Sequence, residues 1–222
     1  MKNDRVKPYT AKEEYLQTNV ANTYLTRKVY SGFMGKWRRS REDFAVMSAI
    51  QKFMIGSSVL DLPCGFGRWF DFLSVRVDNI IGMDISNSMI NAASKVKNSS
   101  VTIETSTGDA ENIKLVDKSV DYIFSFAFMK HLPDSVKSNV IDEFSRVSDG
   151  RMIISFAVFN PINRVFWKLR GGKGFPNTRS ELEKMLNKKD LFISDSYGVG
   201  FPVLGLEKLF VIERVSSKHA DI

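Results

Sequence analysis

Val59-Leu60-Asp61-Leu62-Pro63-Cys64-Gly65-Phe66-Gly67-Arg68-Trp69 is the stretch from which the fold is read. A short apolar run reaches an aspartate, breaks into a turn with two glycines, and passes into an amphipathic segment over 69–73. That order reads as a strand, a glycine loop and the first turn of a helix. Gly65 and Gly67 can take backbone angles closed to other residues and carry no Cβ, so a ligand can approach the main chain closely. Such a loop falls at the carboxyl end of a strand, where open α/β sheets bind ligands. A second unit follows. Asn79-Ile80-Ile81-Gly82-Met83-Asp84 reads as a strand ending in an acid 19 residues after Gly65. A carboxylate there can accept both hydroxyl protons of a ribose.

Two cofactor classes use this arrangement, and the loop separates them. Dinucleotide folds want a third glycine for close helix–strand packing, with a helix N-terminus facing a pyrophosphate. Here the third place is Phe70, which speaks against an NAD-binding oxidoreductase. Asp61 before the loop suits a cationic ligand better than a pyrophosphate. The stretch resembles motif I of the class I S-adenosylmethionine-dependent methyltransferases. Asp84-Ile85-Ser86-Asn87-Ser88-Met89, Gly108-Asp109-Ala110-Glu111 and Ser119-Val120-Asp121-Tyr122-Ile123-Phe124-Ser125 extend the resemblance, in order, over about residues 57–156.

Composition sets outer bounds. The 222 residues suit one domain with a substantial core. No apolar run approaches the ~20 residues that span a bilayer. The polar start, Met1-Lys2-Asn3-Asp4-Arg5, leads us to expect no signal peptide. The single Cys64 allows no internal disulfide and no cysteine cluster for zinc, and a reducing cytoplasm is the expectation. The net charge of +7 fits either a solvated basic surface or an anionic partner: a phosphorylated small molecule, nucleic acid or a membrane surface. The denser patches are residues 27–41 and 164–173.

Along the chain, residues 1–18 are polar apart from Tyr9 and Tyr15, and helices are expected over 19–30 and 40–54, with a break at 31–35. Phe44, Met47, Ile50 and Met54 mark a buried face of the second helix. Arg38, Arg39 and Arg41 at its start stand at the unfavourable end of the helix dipole, so a carboxylate or an acidic ligand is expected to hold them. Strands are expected over 57–61, 79–84, 101–105, 120–126, 151–158, 191–197 and 209–215. Helices are expected over 66–74, 87–97 (with Ser86 as N-cap), 135–147 and 178–187, the last capped by Thr178 or Ser180, where Ser180 and Glu183 have capping-box spacing. Residues 160–177 break the rhythm with Trp167, Arg164, Lys168, Arg170 and a glycine-rich turn, and read as a substrate-covering insertion mobile at its glycines.

The resemblance implies an α/β fold: a doubly wound, seven-stranded, mostly parallel sheet of the Rossmann-like methyltransferase kind, with an antiparallel last strand and an N-terminal helical lid. Residues 1–56 would form the lid or cap. Residues 57–222 would form the catalytic core. It implies a methyl transfer from S-adenosylmethionine to an oxygen or nitrogen of a small-molecule acceptor, anionic or aromatic, similar to ubiquinone- and menaquinone-biosynthesis enzymes, leaving S-adenosylhomocysteine. No metal cluster is visible, so the transfer is expected to be metal-independent, by a monomer or homodimer. The alternatives are an RNA methyltransferase, or a non-catalytic regulatory or partner subunit that holds the cofactor.

On these positions Asp61 would bind the cofactor's ammonium, while Gly65 and Gly67 bring the main chain to its methionine part with Cys64 packed beneath. Asp84 would bind the ribose, Ile85 and Met89 would flank the adenine, and Asp109, Ala110 and Glu111 would meet its edge. Phe126 would offer a backbone carbonyl. Tyr24 and Lys28, or Arg27 in its place, resemble the residues that hold the cofactor's carboxylate. His131, beyond the fourth strand, is the candidate base.

Overall fold

The computed structural model describes residues 12–13, 32–51, 57–201 and 203–215. The strands are β1 (Ser57–Asp61), β2 (Val77–Asp84), β3 (Thr102–Thr107), β4 (Val120–Ser125), β5 (Ser148–Phe159), the two-residue β6 (Asn177–Thr178), β7 (Leu191–Gly198) and β8 (Glu207–Arg214). The helices are α1 (Gly32–Ile50), α2 (Phe70–Leu73), α3 (Asn87–Ala93), α4 (Asp134–Val147), α5 (Pro161–Leu169) and α6 (Arg179–Asn187). The sheet runs β3-β2-β1-β4-β5-β8-β7, and β6 pairs with β5 off this path. The pairings from β3 to β5 are parallel. β8 runs antiparallel to both β5 and β7, so the expected antiparallel last strand sits between them and β7 forms the edge.

Period-two alternation sorts each strand's side chains to opposite faces. Leu60, Ile123, Met152, Ile154, Phe210 and Ile212 join Val140, Phe144, Leu182 and Leu186 in one core layer, under α4 and α6. Their neighbours Val59, Tyr122, Phe124, Ile153 and Val211 join Ala45, Val46, Ala49, Phe70, Leu73 and Ala93 in the other, under α1, α2 and α3. This is the doubly wound arrangement read from the sequence, with helices on both faces of a mainly parallel sheet.

Several local expectations shift. α1 begins at Gly32, so the stretch expected to break the chain lies in the helix, with Gly35 buried inside it. Its buried face is Glu42, Ala45, Val46, Ala49 and Ile50; Phe44 points outward at 67% exposure. The i, i+3, i+4, i+7 spacing of small residues lets the helix lie close to the sheet. Arg38 and Arg39 find carboxylates one turn on: Arg38 Nε donates to Glu42 at 3.0 Å, and Arg39 lies 4.0 Å from Asp43. Glu42 and Asp43 also take Arg68, at 2.6 and 3.1 Å, so α1 grips the chain just past the glycine loop. Ser86 stands at the N-cap of α3, but its hydroxyl meets Ser88 Oγ instead of a backbone N–H. Thr178, one of the two expected caps, is the N-cap of α6, and its capping box is with Glu181 instead of the Ser180–Glu183 pair. The expected helix over 66–74 shrinks to one turn, because Gly65 and Gly67 hold φ of +57° and +81° and carry the chain round before it can coil.

Phe70 fits where a dinucleotide fold needs glycine because glycines give it room. A Cβ on Gly82 would lie 2.5 Å from the Phe70 ring, and one on Gly67 2.8 Å. Gly82→Ala is therefore expected to destabilise the fold by about 1–3 kcal/mol through overpacking. Phe70→Leu in the same chain should recover part of that loss, as read by urea denaturation. Independent, additive losses would show that the two positions do not share this space.

Candidate functional site

The parallel strands bring their carboxyl ends to one side of the sheet. Asp61, Asp84, Thr107 and Ser125 end β1, β2, β3 and β4, and the registers set Asp61 beside Gly82 and Phe124, and Asp84 beside Thr107. The chain leaves β1 towards β2 on one side, while β4 flanks β1 on the other. The strand order therefore opens its crevice above the β1–β4 boundary.

The first loop is fixed by the second strand. Cys64 N–H donates to the Met83 carbonyl at 2.7 Å, and Gly65 N–H donates to Asp84 Oδ2 at 3.0 Å. Asp84 Oδ1 accepts from Ser86 N–H at 2.9 Å. Asp84 is thus a clasp between two loops, and each oxygen keeps a lone pair for a further donor. Burial raises its carboxyl above the usual range, opposed by these backbone donors. Gly65 turns its missing Cβ towards open space, with nothing within 4 Å of that position. The Cys64 thiol turns inward beneath the loop, 3% exposed, and burial pushes it up, with Asp61 and Asp84 adding to the effect. A thiol held protonated is a packing group and no nucleophile.

Asp61 is the exceptional residue. It is fully buried, and neither carboxylate oxygen has a hydrogen-bond partner among the described residues; the same is true of Ser125 Oγ. Burial raises the Asp61 carboxyl well above its ordinary value, and the charge of Asp84 adds to this. Buried polar groups are almost always paired, so an orphaned carboxylate marks the place of an absent donor. A cation is the donor it accepts best.

The third strand end adds further acids. Gly108 N–H donates to the Asp84 carbonyl at 3.0 Å, and Glu111 N–H donates to Asp109 Oδ1 at 3.0 Å. Lys12 reaches across from the N-terminal part of the chain to Asp109 Oδ2 at 2.6 Å and Glu111 Oε1 at 3.5 Å. Asp109 holds the Lys12 ammonium above its ordinary range. Met89 and Ala110 are buried, and Ile85 is half-buried at the start of the turn into α3. Tyr24 and Lys28 lie outside the described residues, as does the helix expected over 19–30.

Beyond β4 the wall is aromatic. The Phe126 ring lies 4.9 Å from that of Trp69, and Phe124 stacks parallel to it at 6.5 Å. Ala127 holds φ +59°, a left-handed conformation unusual for a residue with a Cβ. Its N–H donates to Ser155 Oγ at 2.6 Å, Ser155 donates to Glu207 at 3.0 Å, and Glu207 pairs with Lys130 at 2.9 Å. Ser155 lies on β5, so this N–H points to the β5 side. Across a trans peptide the Phe126 carbonyl points away from that bond. His131 ends the 3₁₀ turn Met129–His131 just after this wall, half-buried, its N–H donating to the Phe128 carbonyl at 2.9 Å.

The structure therefore places Asp61, Cys64, Gly65, Gly67, Asp84, Ile85, Met89, Asp109, Ala110, Glu111 and Phe126 at or just past the carboxyl ends of β1 to β4. Residues that the sequence reading passed over are Lys12, Ser125, and the Ser155–Glu207–Lys130 chain. Lys12 is 97 residues from its partner, and no local pattern links them. A serine ending a strand beside an aspartate was the one available signal for Ser125. Among the described residues no three of His, Cys, Asp and Glu converge to hold a metal ion, and no helix is long and apolar enough to cross a membrane.

Residues 59–149 match the family model described as a methyltransferase domain. A demethylmenaquinone methyltransferase from Staphylococcus saprophyticus is 30% identical over 115 residues, covering 50% of this chain and 48% of the relative. The Staphylococcus epidermidis protein of the same name is 27% identical over 142 residues, 58% of each chain. The chain thus spans about half the length of the curated relatives it matches. Among solved structures, magnesium protoporphyrin IX methyltransferase from Synechocystis PCC 6803 with bound SAH superposes with a TM-score of 0.74 at 19% identity, over 93% of this chain and 100% of that one. At that identity the likeness speaks for the fold.

The orphaned acid makes a stability prediction for the unliganded protein. Asp61 and Asp84 hold protons more tightly folded than unfolded, so stability is greatest below the unfolded carboxylate range and falls as pH rises through the folded values. Asp61→Asn removes one of the two contributions. At about pH 8 it should be more stable than the unsubstituted chain by about 1–3 kcal/mol, roughly 3–10 °C in melting temperature, with the gap closing towards about pH 4. A variant less stable at every pH would show that the carboxylate has a partner.

Proposed function

We propose that this chain, which carries a methyltransferase domain over residues 59–149, binds S-adenosylmethionine along the carboxyl ends of β1 to β4 and moves its methyl group to an oxygen or nitrogen of a small-molecule acceptor. The observation that carries this reading is the buried Asp61 carboxylate, without a partner beside a glycine loop open to a ligand. A nucleotide with a pyrophosphate would set two negative charges against that acid; an amino-acid ammonium is its complement.

When bound, S-adenosylmethionine supplies a methyl carbon on a sulfonium, with a neutral thioether as the leaving group. The chain's own task is then placement. Asp61 would take the α-ammonium, and the main chain at Gly65 and Gly67, with Cys64 packed under it, would lie along the methionine part. Asp84, already fixed by Gly65 and Ser86, would accept the ribose hydroxyls with its remaining lone pairs. Ile85 and Met89 offer apolar surface to the adenine. Asp109 and the Ala110 N–H would meet its polar edge, with Glu111 and Lys12 closing that end. Tyr24 and Lys28 would hold the carboxylate. The pairing of Lys12 with Asp109 and Glu111 supports an N-terminal segment that folds over this end as a lid. Phe126 would offer its backbone carbonyl to the cofactor, and the Ala127 N–H bond to Ser155 supports that orientation.

A neutral leaving group needs no Lewis acid, which supports a metal-independent transfer. The half-buried Phe126 ring, backed by Trp69, and the name shared by the staphylococcal relatives support a flat or aromatic acceptor. For a hydroxyl or ammonium acceptor, His131 would remove the proton.

Calorimetric titration with S-adenosylhomocysteine and with NAD tests the reading. Binding of the first, weakened about tenfold or more by Asp84→Ala through lost charge-assisted hydrogen bonds, is the expected result. A preference for NAD would overturn it. Once a metabolite screen for a gain of one methyl mass has found an acceptor, His131→Gln should lower kcat by roughly 10²–10⁴ with S-adenosylhomocysteine affinity unchanged. An unchanged kcat would remove His131 from the chemistry.

A further inference from the structure

The expected insertion over 160–177 contains a helix, α5, capped by Asn160, whose side chain accepts from Ile162 and Asn163 N–H. Asn163 is 1% exposed and donates to the Val158 and Gly205 carbonyls, and Trp167 Nε1 donates to the Lys173 carbonyl. That side fixes the helix. On the other side stand Ile162, Val165, Phe166 and Leu169, exposed by 51%, 56%, 41% and 77%. Their i, i+3, i+4, i+7 spacing makes one continuous apolar stripe. Lys168 flanks it along one border and Arg170 along the other, with Arg164 and Lys173 nearby, and none of the four is ion-paired among the described residues. No acid occurs between Asp149 and Glu181. A second exposed apolar segment adjoins the helix start. Asn160 Nδ2 donates to the Val203 carbonyl at 2.7 Å, and Val203 and Leu204 are 57% and 45% exposed. Val203 holds φ +65°, a conformation a branched residue adopts only when its surroundings impose it.

We propose that α5 and the Val203–Leu204 turn dock the protein on the surface of an anionic phospholipid bilayer, the stripe entering the headgroup boundary and the cations meeting lipid phosphates. An interfacial helix needs an apolar stripe, bordering cations and a rigid hold on its domain, and all three are present. A second copy fits less well: a self-paired contact would set these cations against their own counterparts with no acid in the region to meet them. RNA fits less well too, because aliphatic Ile162, Val165 and Leu169 cannot stack on bases as aromatic platforms do. The contact is reversible, since one short helix buries little apolar area. It stands whether or not the cofactor reading holds.

The test is co-sedimentation of the full chain, without cofactor, with phosphatidylcholine vesicles and with vesicles that also contain phosphatidylglycerol. Partition onto the anionic vesicles alone, reversed by raised salt, is expected. Phe166→Glu with Leu169→Glu should lower it about tenfold or more. Lys168→Ser with Arg170→Ser should lower it about twenty-five-fold, each cation being worth about fivefold. All four positions are exposed, and an unchanged melting temperature confirms that the variants fold. Three results would each overturn the proposal: no partition onto anionic vesicles; partition indifferent to the Phe166/Leu169 pair; or, in its place, a concentration-dependent dimer or an RNA oligomer bound through the same residues.

Discussion

One carboxylate sets the terms for the molecule. Asp61 ends β1, an interior strand of the sheet, is fully buried, and has no partner for either oxygen among the described residues. A folded chain tolerates such a group only where the surroundings hold it in place and a ligand repays the desolvation. β2 and β4 pair with its strand on both sides, so the acid cannot swing out to water. The loop that follows is fastened to Asp84, and Asp84 ends the neighbouring strand. The backbone thus fixes an anionic socket before any ligand arrives.

The rest of the fold serves that rigidity. α1 packs its small residues on the sheet and sends Glu42 and Asp43 to Arg68, directly after Gly67. Phe70 fills the space beneath the loop that Gly82 leaves open. Beyond β4, Ser155 accepts from the N–H of a left-handed Ala127 and itself donates to Glu207. These devices come from elements far apart in the chain, and each fixes a piece of main chain close to the site. Placement of that kind suits a reaction whose reagent is activated and needs alignment above all.

What the sequence made legible follows from how local each signal is. The strands, the glycine loop and Asp84 could be read because apolar runs, glycines and a terminal acid lie within a few residues of one another. The doubly wound order was what the resemblance to the methyltransferase family implied. Helix ends were harder. Gly32 and Gly35 suggested a break, yet packing against the sheet outweighs the helix cost of a glycine, about 1 kcal/mol. Phe44 looked like core by type, whereas Ala45 and Ala49 hold the face because only small side chains let α1 approach the sheet. The insertion expected over 160–177 was read from its cations, Trp167 and glycines, and the helix that starts at Asn160-Pro161 was passed over. Lys12 on Asp109 and Glu42 on Arg68 had no local signature at all, since nothing short-range couples residues 97 or 26 apart.

The most direct test of the account is a crystal structure of the chain with S-adenosylhomocysteine. The account requires the ligand's α-ammonium within hydrogen-bond distance of Asp61 and its ribose on Asp84, with the strand ends unmoved. A ligand bound elsewhere, or an Asp61 still unpartnered beside a filled crevice, would contradict it.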